Sequence, residues 1–270
     1  MDMRAHTLSA ALAALLLFGL TGCGDDTLAT PAPDETVSAL ETPSEESSDP
    51  DLPTNEDLEL FVEAIASDKV ASLEAAQAVT QEGSAAAGYL EYYTHNVNAQ
   101  IDAGLYSSDL AGKIKPLENG FEVCYPGEEH CAEYTDFEGK NGKIVDFHVA
   151  EQAVSERLVM GDGQNAETFG GAEVEFIAAY MNASNSHLIV SYNLYTGDEE
   201  LDIPLITYRS ADGRQSESET HYGMFSLSPD SKSSYVAFFP GASLGGEVHL
   251  DFYSYETYQD DVVIFEVSEE

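Results

Sequence analysis

The chain has 270 residues, with three Cys and no Trp, and sets 50 Asp and Glu against 10 Lys and Arg for a formal charge of −40. A polyanion of this size is repelled by phosphate backbones, which excludes nucleic acid as a partner, and it gains no attraction from an anionic bilayer, so membrane attachment calls for a covalent anchor. The length suffices for one large or two modest domains with a real core. The acids suit a solvated exported surface, and they also suit collecting cations or tolerating high salt.

Arg4 and His6 precede an apolar run from Leu8 to Leu20. The run is shorter than the roughly 20 residues of a spanning helix and has the length of a signal-peptide core. It closes on Leu20-Thr21-Gly22-Cys23, which resembles the lipobox of bacterial lipoprotein signal peptides. The resemblance implies that residues 1–22 are removed. Cys23 then becomes the lipid-attachment site, with a diacylglyceryl group and palmitate-type chains, on the outer, extracytoplasmic face of the cell membrane. Two acyl chains anchor stably where one binds marginally. The plainer alternative is an ordinary secretory peptide with Cys23 an incidental thiol. Residues 23–54 follow as an acidic tether without Lys or Arg, rich in Pro, Ser, Thr, Asp and Glu. It has too little apolar surface to fold and repels itself into an extended spacer.

Order is expected from Thr54 or Asn55, either of which can cap a helix whose face is Leu58, Phe61, Val62 and Ile65. A second short helix reads from Val70 to Val79. After Gly83-Ser84 a third reads from Ala85 to about Ala103, with a stripe of Ala86, Leu90, Tyr93, Val97 and Ile101. The period then changes to two. Phe121, Val123 and Tyr125 alternate before Pro126-Gly127, Tyr134 and Phe137 lie on the return, and Asn141-Gly142 is a hairpin turn leading to Ile144, Val145, Phe147 and Val149. A last strand is expected over Val154 to Met160. The segment from Cys131 through Asp136-Phe137, Gly142-Lys143-Ile144-Val145-Asp146-Phe147 and Arg157-Leu158 is similar to a module of exported proteins from high-GC Gram-positive bacteria. The resemblance implies helices followed by a sheet in the manner of nuclear-transport-factor-2-like cones, over residues 55–160.

Gly161 to Gly171 reads as a junction. Beyond it, Val174, Phe176, Ala178 and Tyr180 alternate, as do Leu188, Val190, Tyr192 and Leu194, then Ile203, Leu205 and Thr207 before the turn at Ala211-Asp212-Gly213. Further strands end in Val236–Phe238, Val248–Phe252 and Val263–Val267. Short strands at this spacing make a β-sandwich. The Phe225-Ser226-Leu227-Ser228-Pro229 turn, the Tyr235 to Pro240 strand and Gly245-Gly246 resemble the immunoglobulin-like sandwich of many Gram-positive lipoproteins, over 172–267. The fold class is therefore α+β: helices with an antiparallel meander, then an immunoglobulin-like antiparallel sandwich.

Cys124 and Cys131 flank the Pro126-Gly127 turn, and in an oxidising compartment they are expected to form a disulfide. With His130 they offer a poor metal site, because adjacent His and Cys cannot easily share an ion. Gly241-Ala242-Ser243-Leu244-Gly245 matches a nucleophile elbow, but a strand follows it where the chemistry needs a helix. His249 and Asp251 would share one strand face. The acid clusters Asp198-Glu199-Glu200-Asp202 and Asp260-Asp261 fall in or near expected loops and lack the spacing of a calcium loop. Tyr89, Tyr92 and Tyr93 read as core and rim rather than a ligand floor. No catalytic set, metal or cofactor is expected.

The leading reading is thus a membrane-anchored, non-enzymatic binding module whose partner is a cell-envelope protein or small ligand. The alternative is an envelope enzyme with a cleft between its two domains. A third is an apolar ligand held in a helix–sheet cavity lined by Phe61, Leu90 and Tyr93.

Overall fold

The structure, a computed structural model, describes residues 51–106, 111–126, 131–254 and 257–268. Cys23, the expected tether up to residue 50, and His130 lie outside them. Helix α1 (Asn55–Ser67) starts as expected: the Thr54 hydroxyl accepts from the Asp57 amide, and the Asp57 carboxylate accepts in return from the Thr54 amide. That reciprocal pair satisfies two otherwise orphaned amides. Contacts begin before the expected end of the tether, because Asp51 accepts from the amides of Asn141 (3.1 Å) and Gly142 (3.3 Å). Helix α2 (Val70–Ala76) runs into a 3-10 turn at Gln77–Val79, and α3 (Ala85–Asp102) is capped by Ser84. Ile101 does not join the buried stripe and is 46% exposed. The stripe follows Tyr89, Tyr92 and Ala99, which leaves Ile101 on the solvent side.

A five-stranded antiparallel sheet in chain order joins β1 (Lys113–Leu117), β2 (Gly120–Cys124), β3 (Ala132–Lys140), β4 (Lys143–Val149) and β5 (Gln152–Ala153). Asn141 and Gly142 both have positive φ, 54° and 73°. That matches the twist a tight hairpin needs, and glycine meets it without strain. Cys124 and Cys131 form the expected disulfide, with Cα atoms 4.3 Å apart. The register of β2 on β3 pairs Val123 with Ala132 and so brings the two cysteines opposite each other.

The strand expected over Val154–Met160 is corrected. Val154–Glu156 is a 3-10 turn, and only Leu158–Met160 (β6) is extended. It pairs with β8 (Glu173–Met181), as does β7 (Asn165–Glu167), so the glycine-rich stretch runs along a sheet edge. The remaining strands are β9 (His187–Tyr195), β10 (Leu201–Asp202), β11 (Leu205–Arg209), β12 (Gln215–Glu217), β13 (Thr220–Tyr222), β14 (Ser226–Leu227), β15 (Lys232–Pro240), β16 (Gly246–Ser254) and β17 (Gln259–Val267). They form a six-stranded sheet with the path β13-β15-β9-β8-β6 and β7 beside β8, a four-stranded sheet β12-β11-β16-β17, and the small pair β10-β14. The class is α+β, a few helices followed by antiparallel strands in several sheets.

One face of the six-stranded sheet packs on the four-stranded sheet, where Phe176 stacks on Phe265 at 5.6 Å and Tyr208 meets Phe239 at 5.7 Å. The other face packs on the helices. Tyr180 touches Tyr89 and Tyr92, and Ile189 and Val236 close the same cluster. The Asp102 carboxylate at the end of α3 accepts from the Ser233 hydroxyl and the Ser234 amide, both at 2.8 Å. Buried Arg157 donates to the Val149 carbonyl, to the Gln152 side chain and to Asn185, tying the meander to the β8–β9 turn.

Two expected alternations change. Val174, Phe176, Ala178 and Tyr180 do not share a face, because a bulge at Ile177 sets Phe176 opposite Tyr192 but Ala178 opposite Ser191. Val174 and Phe176 face the four-stranded sheet, and Ala178 and Tyr180 face the helices. In β11 Ile206, Thr207 and Tyr208 are all buried, while Leu205 is 60% exposed. A shift of one residue inverts a strand's faces.

Candidate acidic cleft

A cleft of about 790 Å³ opens between the helices and the edge of the six-stranded sheet. Glu74 and Gln77 come from α2 and its 3-10 turn, Glu82 from the following loop, and Glu91 and His95 from one face of α3. The other wall is Met160, Asp162, Gly163, Glu175, Phe176 and Ile177, so the bulge lies in the wall. Bulges re-aim side chains next to sites. Gly88 lies where α3 approaches β6, and a Cβ there would stand 2.9 Å from the Met160 Sδ, so that flexible side chain would have to shift.

Charge in the cleft is mostly negative. Lys143, at the floor, donates to the carbonyls of Ala78 (3.2 Å) and Thr80 (3.5 Å) and is committed to the turn. Partial burial, then the charges of Glu175 and Asp162, raise the Glu91 carboxyl above its ordinary range. Burial also pushes Glu175 up, but donation from Tyr195 (2.7 Å) and Asn193 (2.9 Å), with help from Lys232 and His95, holds it net below the usual range. Glu175 is thus a fixed, ionised carboxylate. Burial, followed by nearby Lys232, lowers the His95 imidazole to about 4, against a smaller opposing pull from Glu175. Its Nδ1 is buried with no hydrogen-bond partner.

These acids do not form a chelating cage. Among the described residues, Glu122 with Cys124 and Cys131 is the one group of metal-ligating types gathered within 4.8 Å, and its sulfurs are spent in the disulfide. The cleft instead suits a cation large enough to reach several spaced carboxylates.

The residues singled out in the sequence lie elsewhere. Gly241 to Gly245 form the loop between β15 and β16, where the Ser243 carbonyl accepts from the Tyr208 hydroxyl at 2.6 Å. No elbow or supporting helix is there. His249 pairs with Glu247 at 3.0 Å. Glu200 accepts from Ser226, and Asp261 from Thr168, both at 2.7 Å. Tyr89 and Tyr92 are core residues. The helix–sheet space for an apolar ligand is filled: Phe61 and Leu90 are fully buried, Phe61 packs on Phe137 and Phe147, and the Tyr93 hydroxyl meets that of Tyr125 at 2.8 Å. Sequence reasoning missed Glu91, His95, Asp162 and Glu175. The one signal was Glu91 and His95 four apart on α3, which is uninformative in a chain with 50 acids.

No family model and no curated protein matches the chain. Among solved structures it is similar to the GAE domain of GGA2p from Saccharomyces cerevisiae, at 10% identity, covering 40% of this chain and 97% of that one with a TM-score of 0.30. Among the described residues no helix is long and apolar enough to cross a membrane.

Proposed function

We propose that the chain is a lipid-anchored, extracytoplasmic binding module of the bacterial lipoprotein type, and that its acidic cleft takes a cationic ligand. The anchor reading is supported by Leu20-Thr21-Gly22-Cys23. Cys23→Ser is expected to leave the chain unprocessed or released, and unchanged membrane partition would refute it. The two facing sheets are read here as an immunoglobulin-like sandwich, and the helices with the meander as the module that presents the ligand site.

The observation that carries the binding reading is the gathering of Glu74, Glu82, Glu91, Asp162 and Glu175 in one cleft, where the charges of Glu175 and Asp162 add to burial in raising the Glu91 carboxyl. A bound polyamine or basic side chain offsets those charges and lowers the Glu91 carboxyl. Binding therefore weakens as pH falls through the raised pKa of Glu91, with Glu74, Glu82, Asp162 and Glu175 as the other acids and His95, Lys143 and nearby Lys232 as the bases. Titration with spermine by calorimetry is the test. Glu91→Gln combined with Asp162→Asn is expected to cut affinity by about tenfold or more. Binding unaffected by the double change would sink the cleft reading.

An enzymatic use of the same cleft has one observation in its favour. A carboxyl with raised pKa and a neutral imidazole stand one turn apart on α3, the types general acid–base chemistry uses. Turnover of envelope esters or polymers that Glu91→Gln abolishes would replace the binding reading with this one.

A further inference from the structure

The sheets of this molecule end in very unequal edges. Among the described residues, the meander ends in β1, which carries Lys113, Lys115 and Pro116, and in the two-residue β5. The six-stranded sheet ends in β13 on one side and β6 and β7 on the other, each three residues long. The four-stranded sheet ends in three-residue β12 on one side. Short strands, lysine and proline are the usual devices that stop an open edge from pairing.

Strand β17 uses none of them. It is nine residues long, contains no Lys, Arg or Pro, and pairs with β16 in unbroken register from Gly246–Val267 to Ser254–Gln259. It is the end strand of its sheet among the described residues. The Val262 amide donates to the neighbouring Asp261 carboxylate at 2.9 Å, in an exposed position. In an antiparallel ladder alternate residues turn both N–H and C=O to the outside, so Val262, Ile264 and Glu266 face outward with no strand beside them among the described residues.

The side chains along that ladder specify what it would pair with. Val262 and Ile264 are 46% and 50% exposed on the sheet's outer face. Asp260 and Glu266 flank them, Asp251 is the neighbour of Val262 on β16, and Glu247 that of Glu266. Neither β16 nor β17 holds a Lys or Arg. A second copy would lay acid against acid on a chain of charge −40. A strand that alternates Lys or Arg with β-branched residues would set cations over these acids and apolar groups over Val262 and Ile264.

We infer that the outer edge of β17 is a strand-addition site for an extended, cationic segment of another protein. Backbone bonds supply the attachment and the alternating side chains the selectivity. The site is separate from the cleft and does not depend on it.

The test uses the full chain and blocked peptides of the length of β17: alternating Lys-Val, alternating Glu-Val, and Lys-Val carrying N-methyl groups at every second amide. Anisotropy measures affinity, hydrogen exchange reads the amides of 259–267, and light scattering reads the oligomeric state. The Lys-Val peptide is expected to protect 259–267 and to bind at least about tenfold tighter than both other peptides. Ile264→Pro, which removes an edge amide, and Val262→Lys, which places a charge on an exposed site and leaves the core alone, are each expected to weaken it by a similar factor. Glu91→Gln with Asp162→Asn is expected to leave it unchanged, which separates this site from the cleft. Equal binding of the N-methylated peptide, absence of protection at 259–267, or insensitivity to both β17 variants would overturn the proposal. So would peptide-independent protection of β17 in a dimer, which would assign the edge to a second copy.

Discussion

The two faces of the six-stranded sheet are covered by different materials. One carries helices and aromatic contacts of α3 with Tyr180, and the other carries a second sheet with Phe176 on Phe265. Strands β8, β9 and β15 are accordingly buried on nearly every residue, whereas β16 alternates. Continuous apolar strands mark a sheet covered on both sides, and alternating ones a sheet with a wet face. The wet face belongs to the four-stranded sheet, and so does the open edge at β17.

If both faces belong to one cooperative structure, a cavity on either side lowers a single transition. Phe176→Ala is expected to cost about 3–5 kcal/mol and Leu90→Ala about 2–5, and calorimetry checks whether one peak moves in both. Two peaks that respond separately would break the comparison into two independent domains.

Acid sharpens it next, because each face holds one neutral histidine. His95 lies on the helix side and His221 on the sandwich side, where its Nε2 meets the Tyr192 hydroxyl at 2.8 Å. Burial holds both at about 4, below the ordinary 6.5. The folded chain therefore binds fewer protons than the unfolded chain between those values. Each histidine withdraws stability as pH falls through that window, on the order of 3 kcal/mol at most. His221→Phe and His95→Phe are each expected to reduce the drop in Tm between about pH 7 and pH 4.5. An unchanged drop in both would show that carboxylates govern the acid response.

The smallest effect is covalent and confined to the helix side. Removing the disulfide with Cys124→Ser and Cys131→Ser frees a loop spanning seven positions. That costs roughly 2–3 kcal/mol in the chain-entropy model. The double variant is expected to stay folded and melt several degrees lower, as thermal scans with and without reductant would read.

Local chemistry made much of this legible. Thr54 with Asp57, Ser84, and Asn141-Gly142 mark helix starts and a turn through bonds made within a few residues, and each stands where the sequence puts it. The shared sheet was less legible. Reading Val174, Phe176, Ala178 and Tyr180 as one face passed over Ile177 and Ala179, whose apolar character signals a second covered face. The bulge that divides this strand has no local signature, because it is set by pairing with β9. The cleft was illegible for a related reason: Glu91 and Glu175 are brought together by packing across the chain, and neither differs locally from dozens of other acids.

The grip of Asp102 on Ser233 and Ser234 spans more than a hundred residues of chain. The helices are made early, yet the cluster around Leu90 and Tyr92 is closed by Ile189 and Val236 from the later strands. Contacts of such sequence separation are slow to form, because the chain between them must be ordered first. A polypeptide emerging from its N-terminus can therefore pack its helices on the meander first, through Phe61 and Tyr89 on Phe147, but gains the wall of this cluster made by Ile189 and Val236 only once β15 has been delivered.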